Sequence, residues 1–207
     1  MSAELLKPAQ RFVRAAAMGL DRRGGEGVAE VLARLAGQDV SAEIFREVKP
    51  ATLPVLRYLP ECIGEALLVD ADLAAAIAEL DGALAWRQSS AYSDQVLGTG
   101  FMDNYGWCEI IGDDGFFAGD DFRLGLLLLG PERHYRDHYH PAPELYWNLT
   151  GPSDWKRGAG GFATKEAGAT VWHEPYRMHA TKTGARPLFT LWCWTRDTAT
   201  PARLAGG

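Results

Sequence analysis

Four side chains in one short stretch have the types and the spacing of a metal site. His138 and His140 lie two residues apart, and Glu144 and Tyr146 follow a proline-rich turn at 141–143. Side chains two apart on a strand point to the same face, so each pair shares a direction and the turn can bring the pairs together. Two imidazoles, a carboxylate and a phenol form a donor set suited to zinc, iron, manganese or nickel.

One more imidazole from a neighbouring strand would complete such a site. All five histidines of the chain lie between His134 and His179. His173 and His179 are the two candidates, and His179 suits a ligand at a strand start because it follows a proline-containing turn and precedes an aromatic run. We expect His134 to be exposed and His173 to lie in a surface turn, with the orientation of a metal ligand as the alternative role for His173.

The composition of the 207-residue chain excludes several classes of function. Its net charge of −6 leaves no basic face for a nucleic-acid backbone. The longest apolar run, at 124–130, is too short to span a bilayer, and the first residues lack the apolar core of an export signal. The three cysteines form no close pair, which disfavours disulfides. We therefore expect a cytoplasmic protein that binds neither nucleic acid nor membrane.

The elements that must position these side chains fall into two regions. Residues 1–94 show helical spacing of apolar side chains, with predicted helices over 4–18, 28–35, 41–48 and 63–84. Residues 95–207 alternate short apolar runs with turn signals, with predicted strands over 100–111, 122–129, 145–149, 169–172 and 187–194. The sequence predicts a mainly β fold with an α-helical N-terminal region packed on a β-barrel.

The spacing of the ligand candidates resembles a known family. The pattern His-x-His-x3-Glu-x6-Gly, which ends at Gly151, is similar to the first motif of the cupin superfamily, and 175–179 resembles the second without its glycine. Tyr135, five residues before the second paired histidine, and Trp194, fifteen residues after His179, make the chain similar to the Q-type lyases of dimethylsulfoniopropionate (DMSP). The resemblance implies a cupin-type double-stranded β-barrel, or jelly roll.

The same resemblance implies a reaction, a cofactor and site residues. The reaction is the β-elimination of DMSP to dimethyl sulfide and acrylate. The cofactor is one divalent ion, either zinc or iron, manganese or nickel, held by His140, Glu144, Tyr146 and His179. Substrate contacts are implied for Tyr135, His138 and Trp194. Plain cupin analogy would instead make His138 a metal ligand.

The implied chemistry suits these residue types. A cation near the substrate carboxylate would stabilise the charge that develops when the α-proton is removed. Tyr146 would act as the catalytic base, since a nearby cation favours the phenolate over the phenol. The ring faces of Tyr135 and Trp194 would contact the sulfonium through cation–π interactions, and Trp172 or Trp192 are further candidates. The expected partner is this small zwitterion, and the expected assembly is a monomer or a homodimer.

Two other functions use the same pattern. A cupin dioxygenase or isomerase acting on a small carboxylic acid would need the same ligands, although its chemistry requires no phenol. A non-catalytic, zinc-binding regulatory cupin would carry a second histidine and cysteine site in its helical region. Residues 1–94 contain no histidine and only Cys62, which disfavours the regulatory alternative.

Overall fold

Helices form the N-terminal region in a computed structural model, which describes residues 2–206. The α-helices of this range are α1 (Ser2–Arg23), α2 (Val28–Ala36), α3 (Leu59–Val69), α4 (Ala71–Leu80) and α5 (Asp94–Leu97). Short 3-10 helices lie at Pro54–Tyr58 and Met102–Asn104. Within residues 2–206, no helix is both long enough and apolar enough to cross a bilayer.

Two of the predicted helices differ from the observed ones. The segment predicted at 63–84 is divided between α3 and α4, because Asp70 caps α4 by accepting a hydrogen bond from the Leu73 amide. The helix predicted at 41–48 was wrong. Arg46 is instead tied to the β region, its amide donating to the carbonyl of Phe116 and its guanidinium to that of Gly115.

Strands of the second region form two antiparallel sheets. The first sheet has the order β1-β2-β9-β4-β7, and the second has the order β10-β3-β8-β5-β6. The strands of the first sheet are β1 (Tyr105–Ile111), β2 (Arg123–Leu129), β4 (Glu144–Asn148), β7 (Thr170–His173) and β9 (Leu188–Trp194). Those of the second are β3 (His134–Tyr139), β5 (Ser153–Arg157), β6 (Phe162–Lys165), β8 (His179–Thr183) and β10 (Arg203–Leu204).

The predicted fold class, mainly β with an α-helical N-terminal part, is confirmed. The paired sheets make a sandwich compatible with a jelly roll. The five predicted strand ranges all belong to the first sheet. Of the second sheet, the sequence predicted only a strand at the paired histidines and a strand start at His179. The second sheet's strands carry more polar and exposed residues than the apolar runs of β2 and β9. The boundary between residues 94 and 95 stays a prediction.

The first sheet is covered on both faces. On one face the ring of Trp147 packs so tightly against α1 that a β-carbon at Gly19 would lie 2.3 Å from it. On the other face the ring of Tyr146 lies 4.7 Å from that of Trp155 in the second sheet, measured between ring centres. Side chains that alternate along β4 therefore point in turn to the helices and to the space between the sheets.

The close approach of the helices to the first sheet can be tested at two glycines with positive φ. Gly27 has φ +78° and a β-carbon there would lie 2.1 Å from the Trp172 ring, whereas Gly24 has φ +65° and open space around it. We expect Gly24→Ala to cost about 1–2 kcal/mol of unfolding free energy through backbone strain alone. Gly27→Ala should cost about 1–3 kcal/mol more through overpacking, measured by urea unfolding. Equal losses would contradict this packing.

Candidate metal centre

Glu144 lies between two imidazoles at the point where the sheets meet. Its Oε2 atom is 3.1 Å from Nε2 of His140 and 3.2 Å from Nε2 of His179. Glu144 begins β4 in the first sheet, His179 begins β8 in the second, and His140 directly follows β3. The ligand atoms of these three buried residues, called the trio below, lie within 4.8 Å of one another.

Backbone carbonyls orient both imidazoles of the trio. Nδ1 of His140 is 2.8 Å from the carbonyl oxygen of Ala142, and Nδ1 of His179 is 2.7 Å from that of Arg177. A carbonyl oxygen can only accept, so Nδ1 carries the proton in each ring and donates it. The lone pair of each Nε2 is therefore directed at Glu144, as in metal-binding histidines.

This arrangement fits a bound cation. Nε2 of His179 has no hydrogen-bond partner within the described residues, although the Glu144 carboxylate is close. Two lone pairs and a carboxylate that face one point repel one another unless a proton or a metal ion lies between them. Burial raises the pKa of Glu144, whereas His140 and His179, when their Nε2 atoms carry protons, lower it well below its ordinary value. A cation bound in place of those protons would likewise hold the carboxylate charged.

Trp194 supports the trio from the next strand. Its Nε1–H donates a 2.8 Å hydrogen bond to Oε1 of Glu144, and its ring lies 4.3 Å from that of His140. The hydrogen bond occupies one carboxylate oxygen and leaves the other, Oε2, facing the imidazoles. Groups that hold a ligand in this way typically change metal affinity about 10–100-fold when they are removed.

His138 lies beside the trio and outside it. Its ring stacks on Tyr135 with 4.0 Å between centres, while its centre is 6.4 Å from that of His140. The pairing of β3 with β8 is irregular between Tyr135 and His138, and His140 lies beyond the strand end. Both histidines of the motif line the same cavity, as their spacing predicts, but only His140 belongs to the trio.

His134 and His173 have different environments. His134 is exposed, as predicted. The surface turn predicted for His173 was wrong, because this residue ends β7 opposite Glu144 and only 1% of its surface is accessible. Its ring stacks on that of His179 with 4.0 Å between centres and 12° between planes. His173 thus backs one face of a trio imidazole.

A cavity of about 420 Å³ opens onto His140 and Glu144. Aromatic side chains line much of it, namely Tyr92, Tyr105, Trp107, Tyr135, Trp192 and Trp194. Tyr92, Tyr105 and Trp107 were not among the residues predicted from the sequence. The alternation of Tyr105 and Trp107 along β1 was a usable signal, since it places both rings on one face. Tyr92 lies outside any strand and gave no such signal.

Tyr146 faces the same cavity. It shares a face of β4 with Glu144, as predicted from the spacing, and it is buried. Burial raises the pKa of its phenol well above the ordinary value, and the adjacent Glu144 carboxylate raises it further. Without a compensating positive charge the hydroxyl keeps its proton, and once deprotonated it is a strong base.

Comparison with known proteins assigns the chain to a family. The family model of dimethylsulfoniopropionate lyases matches residues 26–190, which is most of the sequence. The chain belongs to this family. The match includes every member of the trio and also Tyr135 and Tyr146, whereas Trp194 lies just beyond it.

Curated relatives agree with this membership. The chain is 32% identical over 120 residues to the dimethylsulfoniopropionate lyase DddQ of Ruegeria pomeroyi, covering 58% of this chain and 59% of that protein. It is 28% identical over 151 residues to the putative lyase DddL of Cereibacter sphaeroides, covering 72% and 60% respectively. The chain thus spans about three fifths of the length of the curated relatives it matches.

Solved structures of lyases share the whole fold. The crystal structure of DddQ from Ruegeria pomeroyi superposes with a TM-score of 0.72 at 25% identity, covering 96% of each chain. A structure described with the lyases RdDddP and RnDddQII also gives a TM-score of 0.72, at 22% identity, over 96% of this chain and 98% of that one. The helical region and both sheets are therefore common to these proteins.

Substitution of trio and neighbouring histidines tests the metal centre. We expect His179→Ala to retain well below one ion per chain after metal loading and desalting, because it removes a lone pair directed at Glu144. His138→Ala is the matched control, from the same cluster but outside the trio, and should bind as much metal as the wild type. Elemental analysis of both proteins measures the metal content per chain. A wild-type metal content in His179→Ala would contradict the assignment of His179 as a ligand.

Proposed function

We propose that this protein is a metal-dependent lyase that cleaves DMSP by β-elimination to dimethyl sulfide and acrylate. The observation that carries the proposal is the trio, buried at the edge of an aromatic cavity and adjacent to a phenol. Family membership supports the same reaction. All of these groups belong to one chain, so either a monomer or a homodimer would contain complete sites.

The cofactor in this proposal is one divalent ion held by the trio. Zinc, iron, manganese and nickel all accept two imidazoles and a carboxylate, and Tyr146 is the proposed fourth ligand. Such an ion supplies a Lewis acid that neutralises the substrate carboxylate and lowers the energy of the enolate-like transition state. His138 and Tyr135 are the proposed partners of the same carboxylate, since they stack on each other at the cavity wall.

Tyr146 is the proposed base. It takes the proton from the carbon next to the carboxylate, and the electron pair of that bond forms the new double bond. The bond between carbon and sulfur breaks, and its electrons leave with neutral dimethyl sulfide, which needs no acid. Because burial raises the pKa of the Tyr146 phenol, the bound ion would have to hold it as the phenolate for its oxygen to accept this proton.

The cavity side chains Trp107, Trp192 and Trp194, called the aromatic wall below, are the proposed site for the sulfonium. The rings of Trp107 and Trp192 lie 6.0 Å apart and those of Trp192 and Trp194 lie 5.9 Å apart, measured between centres. These rings present π faces to a cation in a place largely shielded from water, where each contact is worth about 0.5–2 kcal/mol. Once sulfur loses its charge this attraction ends, which favours release of the sulfide.

Incubation with DMSP tests the activity itself. Purified, metal-loaded protein should release dimethyl sulfide into the headspace and acrylate into solution, in equal amounts and without oxygen. Treatment with a chelator should abolish release, and added zinc, iron, manganese or nickel should restore it. Gas chromatography under nitrogen measures the sulfide. Consumption of oxygen in place of sulfide release would favour the dioxygenase alternative and remove the lyase proposal.

Removal of one hydroxyl tests the base. Tyr146→Phe should keep at least the trio's metal but lose about 10²–10⁴-fold in kcat, the usual contribution of a positioned base. Tyr176→Phe is the control, since its side chain is 67% exposed and lies outside the cavity lining. It should retain wild-type rates. Wild-type turnover by metal-loaded Tyr146→Phe would rule out this role for the phenol.

A further inference from the structure

Tyr92 reaches the cavity from outside the strands. It lies between α4 and α5, and its amide donates to the carbonyl of Ser89. Only 7% of its surface is accessible, and its hydroxyl oxygen lies 2.8 Å from that of Tyr135. Both tyrosines line the cavity that contains the trio's carboxylate. The hydroxyl groups of these two tyrosines thus lie within hydrogen-bond distance of each other at the cavity wall.

The ring of Tyr135 is held on several sides. It stacks on His138 at 13° between planes, and it packs against Tyr105 and Phe101 with ring centres 5.3 and 5.9 Å away. The aromatic ring therefore has little freedom to turn. The direction of the hydroxyl proton remains free. The hydroxyl of Tyr105 also interacts with Tyr135, but that of Tyr92 lies at 2.8 Å and can set this direction by hydrogen bonding.

Both phenols of the pair keep their protons. Burial raises the pKa of Tyr92 above its ordinary value and raises that of Tyr135 well above it. Each hydroxyl can therefore donate one hydrogen bond and accept another. A carboxylate in the cavity only accepts, so a Tyr135 hydroxyl that binds it must donate. Its lone pair is then available to Tyr92.

We propose that Tyr92 is a positioning residue, which donates to Tyr135 and so directs the Tyr135 proton to the carboxylate of the substrate. The inference rests on the proposed function only in taking a carboxylate as the ligand. A hydroxyl that accepts one hydrogen bond becomes a better donor of the next, so the chain from Tyr92 through Tyr135 binds an anion more strongly than Tyr135 alone.

A double-mutant cycle with propionate as the probe tests this role. Calorimetric titration of metal-loaded protein should show about three- to tenfold weaker binding of propionate for Tyr92→Phe, the loss expected for one neutral hydrogen bond. Tyr135→Phe should weaken binding at least as much. Because Tyr92 acts through Tyr135, the double variant should bind no more weakly than Tyr135→Phe. In turnover, Tyr92→Phe should raise KM more than it lowers kcat.

Controls separate positioning from packing. Tyr58→Phe removes another hydroxyl of the N-terminal region that lies outside the cavity lining, and it should bind propionate like the wild type. Tyr92→Phe should keep wild-type metal content and melting temperature. Unchanged propionate affinity in Tyr92→Phe would overturn the proposal. The proposal would also be overturned if Tyr92→Phe weakened propionate binding as much in the Tyr135→Phe variant as in the wild type. Failure of the wild-type protein to bind propionate would overturn it as well.

The two proposals fail in different ways. A protein whose propionate affinity depends on Tyr92 through Tyr135 but that releases no dimethyl sulfide would refute the lyase function alone. A protein that releases the sulfide while its propionate affinity is independent of Tyr92 would refute the positioning role alone.

Discussion

The approach of two imidazole nitrogens to one buried carboxylate oxygen is the constraint around which this fold is organised. A carboxylate with 3% of its surface accessible is costly to bury unless it is paired, and Glu144 is paired with two imidazoles from the opposite sheet. The first sheet supplies Glu144, and the second supplies His179 and the strand before His140. The contact of Glu144 with His140 and His179 therefore fixes the distance between the two sheets at this point.

The rest of the sandwich keeps that separation while leaving a cavity beside it. Helices cover the far face of the first sheet, which explains why β2 and β9 are apolar on both faces. On the cavity face, Gly125 lies opposite Trp192, and a β-carbon there would be 2.9 Å from its indole nitrogen. A residue without a side chain thus makes room for an indole of the aromatic wall.

The sequence predicted more of the trio than of its surroundings. The spacing of His140 and Glu144 and the isolated His179 were readable because metal ligation requires particular residue types. Strands such as β2 were readable as apolar runs, whereas β5 and β6 are mixed in polarity and were missed. The inward position of His173 depends on the pairing of β7 with β4, and the contact of Tyr92 with Tyr135 joins residues 43 apart. Neither the position of His173 nor the contact between the two tyrosines leaves a signal in the neighbouring sequence.

The placement of the trio across the sheets has a thermodynamic consequence. An ion bound by residues from both sheets can be held only while the sheets remain together, so occupancy and sheet opening are linked equilibria. By mass action, each tenfold rise in free ion above its dissociation constant would add about 1.4 kcal/mol to the stability of the closed form. Resistance to heat and to proteases would then report on the metal supply of the cell.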